Sequence, residues 1–322
     1  MEEEPDIWEK TDKYLLLSGY LIYKMTGHMA DAAASLVGQG LRDIGLGCVT
    51  KEKAAVCLGT TATITFMMDR YLEPERFIPP YPAIIRECYN PEIEIFRGYW
   101  LVSWFKKEFV AKEVIQAKRL GISPEELLNQ SLKNIPEGCE GLLFQPYFTP
   151  NITMPTARGA IIGFPDAHTR IHLYRAIIEG INFALIDGMK VMEQRAGHKF
   201  QAIYLGGGGS QSDEICQITA HMFGLPVVRT QTYEATGIGC ALATFVGIGV
   251  FESYEDGVKA MVHEKDRFEP DRKFIRFMMS CIQMYTRRSM GSCHLFISGF
   301  MRFIIGNRND EKHQRIYMVF RN

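Results

Sequence analysis

Four consecutive glycines, Gly206-Gly207-Gly208-Gly209, follow directly on the apolar run Ala202-Ile203-Tyr204-Leu205. This junction restricts the fold more than any other part of the chain. The apolar run predicts a buried strand, and residues 213–223 predict a helix after the turn Ser210-Gln211-Ser212. Glycines let backbone approach a ligand closely, and a helix start offers unpaired amides, so such a loop suits a phosphate or nucleotide. The plainer reading is a tight turn without a ligand, in which Ser212 only caps the helix. Two known nucleotide loops are excluded. A dinucleotide loop wants a third glycine where the helix packs on the strand, but the matching position is Ser212 counted from Gly207 and Gln211 counted from Gly206. A Walker loop needs Lys-Ser or Lys-Thr after its glycines, and neither follows.

The surrounding pattern alternates strands and helices, which predicts an α/β class. Residues 6–26 carry apolar side chains at helical spacing, and Gly27 can end that helix. From there to Gly47 the chain is glycine-rich and poorly periodic, so loop is expected and Asp43 reads as a surface loop residue. Ala54-Ala55-Val56-Cys57-Leu58 predicts a short buried strand leading into Gly59-Thr60-Thr61. The prolines at 79, 80 and 82 exclude regular helix or central strand there. A helix is expected over residues 100–117, and Ser123-Pro124-Glu125-Glu126 signals the start of another. Leu142-Leu143-Phe144 and Pro226-Val227-Val228 read as strands, residues 166–197 as a long helix, and residues 235–249 as a helix crowded with small side chains.

Bulk properties narrow the function classes. A chain of 322 residues, 47% hydrophobic, can bury a sizeable core. A formal net charge of −1 gives no electrostatic argument for nucleic acid or for an anionic membrane. No stretch approaches the roughly 20 apolar residues of a membrane span. The acidic opening Met1-Glu2-Glu3-Glu4-Pro5 lacks signal-peptide flanks. Eight scattered cysteines, without a CxxC pair, argue against a zinc or disulfide framework and for a reducing cytoplasm. No metal-ligating residue is assigned.

Several segments in one order carry a family resemblance. Tyr204-Leu205 with the glycine loop, Gln217-Ile218-Thr219-Ala220, Pro226-Val227-Val228 and Glu234-Ala235-Thr236-Gly237-Ile238-Gly239-Cys240-Ala241 resemble the C-terminal domain of FGGY carbohydrate kinases. So do Ala157-Arg158-Gly159, His168-Thr169-Arg170 and His172-Leu173-Tyr174-Arg175-Ala176 upstream, Leu58-Gly59-Thr60-Thr61 as a second phosphate loop, and Tyr23-Lys24-Met25-Thr26-Gly27 near the start. The resemblance implies an actin-like ATPase (ribonuclease H-like) fold, with ATP and Mg²⁺ in a cleft between two domains and a sugar or polyol as acceptor. Residue by residue, it implies that Gly207, Gly208 and Ser212 face the adenosine and that Gly59 and Thr60 contact phosphates. Gly98 and Ser103 fall in a nucleotide-lining stretch, where Ser103 stands in place of the family's glutamine. Gly237, Gly239 and Ala241 read as close helix packing, and Glu234 as an acid at a helix start. The resemblance leaves a homodimer open.

The expected domains are 1–48, a remnant of the N-terminal sugar-binding domain; 49–272, the nucleotide domain; and 273–322, an atypical tail. Phe274 onward is methionine-rich without clean period. Back-translated with permitted codons and read two bases later, it can give a family-like ending, so a shifted frame is the expectation and an unrelated divergent tail the alternative. The family's first phosphate loop, Asp-x-Gly-Thr, does not occur, and the family's base position falls on Gly38. Asp31 and Asp43 are nearby carboxylates; neither is assigned as the base, and Asp43 stands as a candidate only. The expectation is therefore a truncated, impaired kinase. A non-catalytic nucleotide-binding remnant and a kinase completed by a separate chain stay open beside it.

Overall fold

Alternation along one short strand sets a sheet between two helical layers. In β1, Lys53–Leu58, the side chains of Ala54, Val56 and Leu58 enter a large apolar core. Ala55 points the other way, into a cluster with Leu46, Cys48, Ala202, Tyr204, Val228 and Ala235. The computed structural model describes residues 37–74, 78–150, 154–155, 157–271 and 273–274. The expected helix over 6–26, Asp31, and the tail from 275 onward lie outside the described residues.

The main sheet has the order β10-β9-β8-β1-β2-β5. Its other strands are β2 (Ala62–Phe66), β5 (Glu92–Ile95), β8 (Ala202–Gly206), β9 (Val227–Thr230) and β10 (Glu264–Phe268). Strand β8 lies parallel to both β1 and β9, while β2, β5 and β10 join antiparallel. Two small ribbons flank it: β3 (Tyr81–Pro82) with β4 (Tyr89–Asn90), and β6 (Leu143–Gln145) with β7 (Ala160–Ile162).

Eight helices are described: α1 (Val37–Gly45), α2 (Trp100–Phe109), α3 (Ala111–Leu120), α4 (Pro124–Leu132), α5 (Arg170–Ala196), α6 (Asp213–Phe223), α7 (Ala235–Gly247) and α8 (Tyr254–Met261). Helix α5 is the spine of the larger core, and Ile177, Ile178, Ile181 and Leu185 are fully or almost fully buried. Its ends follow local chemistry. Thr169 and His172 form a reciprocal cap at the start, and Gly197, at φ 76°, ends it in the left-handed region. Ser123 and Ser212 cap α4 and α6 by accepting the amides of Glu126 and Ile215.

Three sequence expectations need correction. Residues 37–45 of the glycine-rich stretch before Gly47 are helix α1, not loop. Weak propensity is overridden by packing: a Cβ on Gly45 would lie 1.8 Å from the Ala235 carbonyl oxygen, and one on Gly239 the same distance from that of Leu41. Only backbone this bare lets α1 and α7 touch. Of the three small residues assigned to helix packing, Gly239 makes this contact, whereas a Cβ on Gly237 would meet nothing within 4 Å. The helix expected over 100–117 is two helices, broken at Val110, a fully buried residue with φ −122° and ψ 36°. Asp43 is no surface residue. It lies on α1 with 1% of its surface exposed.

No helix among the described residues is long and apolar enough to cross a membrane.

Candidate functional site

Parallel pairing of β1 with β8 brings the two predicted loops together. Cys57 stands opposite Gly206 in the register, so Leu58-Gly59 and the glycine loop leave the sheet side by side at its carboxyl edge. That is where ligands bind in open α/β sheets. The Gly59 loop is held from above, since the Tyr99 amide donates to the Gly59 carbonyl at 2.8 Å and the Trp100 amide to that of Thr60 at 3.3 Å.

The four glycines do different work. Gly206 ends β8 against Leu46. Gly207 has φ 82°, a conformation other residues reach only with strain, and a Cβ there would press within 2.9 Å of the Leu58 carbonyl. Gly209 lies under Tyr99, where a Cβ would come within 2.6 Å of the ring. Gly208 alone has no protein atom within 4 Å of where its Cβ would stand. Its bareness serves no packing purpose, and its backbone faces the cleft.

That cleft has a volume of about 1040 Å³ and is lined by Gly59, Thr60, Ser103, Gly208 and Ser212 among others. Five of the seven predicted binding residues thus share one cavity. The other two shape it from behind. Gly207 sets the turn, and Gly98 packs on β2, where a Cβ would fall 2.2 Å from the Ala62 amide nitrogen. Ser212 is already engaged: its hydroxyl donates to Glu214 at 2.8 Å and accepts from the Ile215 amide at 3.3 Å.

Sequence reasoning missed the opposite wall. Tyr99, Glu125, Glu126, Asn129 and Tyr174 also line the cleft. The Tyr174 hydroxyl donates to Asn129 Oδ1 at 2.8 Å, which fixes the amide. Burial drives the Tyr99 phenol far above its ordinary range, and its hydroxyl finds no partner among the described residues. The lining carries four carboxylates, Glu125, Glu126, Asp213 and Glu214, and no lysine or arginine. Lys106 pairs with Glu125, and Arg229 with Asp213 at 2.7 Å. Arg229 also donates to the carbonyls of Ser210 and Gln211 at 3.1 and 3.2 Å, and so ties the end of the glycine loop to β9.

Asp43 stands elsewhere, in a polar cluster between α1 and the sheet. Its carboxylate accepts from Arg42 at 3.1 and 3.0 Å and from the Asn90 amide at 2.8 Å. Arg42 also donates to the hydroxyls of Thr63 and Thr65. Burial raises the Asp43 carboxyl, against the pull of Arg42, Thr65 and Asn90. Glu92 is pushed up to about 7, again chiefly by burial, which Arg42 at 3.8 Å opposes without overcoming. Asp43 does not line the cleft.

Comparison with known proteins now bears on the chain. The C-terminal domain of the FGGY family of carbohydrate kinases matches residues 54–248, more than half of its length. The chain belongs to the FGGY family. The uncharacterized sugar kinase YgcE of Escherichia coli (strain K12) is 32% identical over 70% of this chain and 46% of its own length. A xylulose kinase of Lactococcus lactis subsp. lactis (strain IL1403) is 29% identical over 84% of this chain and 53% of its own. The crystal structure of xylulose kinase from Rhodospirillum rubrum superposes with a TM-score of 0.68 at 20% identity, covering 81% of this chain and 51% of that one. The fold is therefore the actin-like ATPase fold of FGGY kinases. The chain spans about half the length of the FGGY relatives it matches.

Proposed function

We propose that this chain is the nucleotide-binding portion of an ATP-dependent kinase for a sugar or polyol hydroxyl, and that by itself it binds ATP without turning over sugar. The observation that carries the reading is Gly208. Its bare backbone lies on a cleft of about 1040 Å³, beside the Gly59-Thr60 loop, with no packing reason to be glycine. Backbone that must approach a ligand is the physical use of such a position.

The cleft chemistry fits a nucleotide on one side better than on the other. Gly208, Tyr99 and the Asn129 amide offer backbone, ring and hydrogen-bonding groups suited to a nucleoside. The phosphate side offers the backbone of Gly59 and Thr60 and no basic side chain among the lining residues. Mg²⁺, when bound with the nucleotide, supplies charge neutralisation for the transferring phosphoryl group. The acceptor hydroxyl needs a positioned base. Asp43 is a poor one, since it is buried and already accepts from Arg42 and Asn90. Xylulose and gluconate kinases among the relatives favour a sugar or sugar acid as the family-level acceptor. A cytoplasmic location and the 49–272 domain boundary belong to the same proposal.

Calorimetry with MgATP tests it. The chain should bind, and Gly208→Val should lose at least about tenfold in affinity, because a branched side chain would stand where backbone meets ligand. Equal affinity in the two proteins sinks the assignment of the cleft.

A further inference from the structure

Away from the cleft, three ligand-bearing side chains converge at the start of α5. His168 and His172 stand four residues apart, and their rings stack at 4.7 Å between centroids. Glu140 comes from the turn Glu137–Gly141 and brings a carboxylate oxygen 3.6 Å from His172 Nε2. One ligand atom from each residue lies within 4.8 Å of the other two. None of the three lines the nucleotide cleft.

A second observation is independent of this clustering. Both ring nitrogens of His168 are shielded from solvent, and neither has a hydrogen-bond partner among the described residues. A neutral imidazole carries one N–H and one lone pair, and burying both unmet is costly. A group that takes up the lone pair would remove part of that cost.

The support is rigid on both sides. Gly138, Cys139 and Glu140 all have positive φ, at 74°, 49° and 51°. That strained turn is clamped from α5: the Gly138 amide donates to the buried Glu179 carboxylate at 3.1 and 3.2 Å, and Arg175 bonds Glu179 and the carbonyls of Leu132 and Ile135. The helix that carries the histidines thus also fixes the turn that carries the carboxylate.

We propose that Glu140, His168 and His172 form a binding site for a divalent transition-metal ion such as Zn²⁺. Two imidazoles and one carboxylate are a ligand set that suits zinc, with the fourth position left to water. Zinc–ligand bonds of about 2.1 Å in a tetrahedral site put ligand atoms roughly 3.4 Å apart, so side-chain rotations of about 1 Å close the site. His172 supplies its own second partner. Its Nδ1 accepts the Thr169 amide at 3.1 Å, which leaves the proton on Nε2. Ligation through Nε2 would move that proton to Nδ1, which exchanges the Thr169 amide bond for donation to Thr169 Oγ1, also 3.1 Å away. The ion would clip the 137–141 turn to the first turn of α5.

Zinc and cobalt titrations of the full chain, without nucleotide, test the proposal. One Zn²⁺ per chain should bind, and bound zinc should raise the thermal midpoint. His168→Ala leaves the Thr169–His172 cap intact, and Glu140→Gln keeps the shape of the side chain, so both variants should fold and both should bind Zn²⁺ more than about tenfold more weakly. The Co²⁺ form should show ligand-field bands without the near-ultraviolet charge-transfer band of a thiolate ligand. Absence of zinc binding, unchanged affinity in the two variants, or a thiolate spectrum implicating the exposed Cys240 would each overturn it.

Discussion

At the scale of single residues, the glycine loop separates packing from ligand approach. Gly209→Ala should destabilise the fold by about 1–3 kcal/mol, because its Cβ would drive into Tyr99 and the Leu58 side chain. Gly208→Val should leave the urea midpoint unchanged while weakening MgATP, since no protein atom lies near its Cβ. A matched loss of stability in both variants would mean that Gly208 is structural too. Glu92 makes a separate prediction about pH. Its folded value is about 7 against an ordinary 4.5, so between those values the folded chain holds a proton that the unfolded chain has released. Stability from this group is present below about 4.5 and is lost as pH rises through about 7. Glu92→Gln keeps the shape and cannot ionise. Thermal midpoints at pH 5 and pH 8 should therefore differ less in the variant than in the parent chain, and the variant should be the more stable at pH 8. Equal pH slopes would show that Glu92 is not the titrating group.

At the scale of elements, legibility tracks whether the signal is local. Caps at Ser123 and Ser212, the strand into the glycines and the helix Asp213–Phe223 were readable because each depends on a few neighbouring residues. Helix α1 was not readable, because it exists through contact with α7, nearly two hundred positions away in sequence, and not through its own glycine-rich residues. The break at Val110 has no glycine or proline to announce it. Adjacent charges at Arg42 and Asp43 look like a surface pair, and only the hydroxyls of Thr63 and Thr65 and the amide of Asn90 make them a buried one. The cleft's second wall comes from α2, α4 and α5, whose meeting no motif encodes. Helix α5 offers the sharpest test at this scale. Arg175 and Glu179 are nearly fully buried and join that helix to the turn after α4. Removing one partner leaves a buried charge uncompensated, so Arg175→Ala should cost about 3–5 kcal/mol in urea denaturation. A cost below about 1 kcal/mol would mean that water or a rearranged turn replaces the guanidinium.

At the scale of the whole molecule, one domain can supply only some of the parts that phosphoryl transfer needs. Positioning and charge stabilisation of the phosphates carry most of this chemistry, and a base for the acceptor adds about 10²–10⁴-fold. In the proposed reading this chain contributes a nucleoside wall and one loop of backbone at Gly59 and Thr60. In the same proposed reading the base position falls on Gly38, and glycine has no side chain to accept a proton. Asp43, five residues on, is enclosed by Arg42 and Asn90 with 1% of its surface exposed. An ADP-release assay over pentoses, hexoses and polyols should therefore find no sugar-dependent turnover by the purified chain, even where calorimetry finds MgATP bound. Asp43→Asn should change stability and leave that absence as it is. Sugar-dependent turnover that disappears in Asp43→Asn would overturn this reading and make Asp43 the base, with α1 moving to expose it. Turnover that appears only after a second chain is added would instead identify this chain as one half of a split enzyme, with its cleft completed from outside.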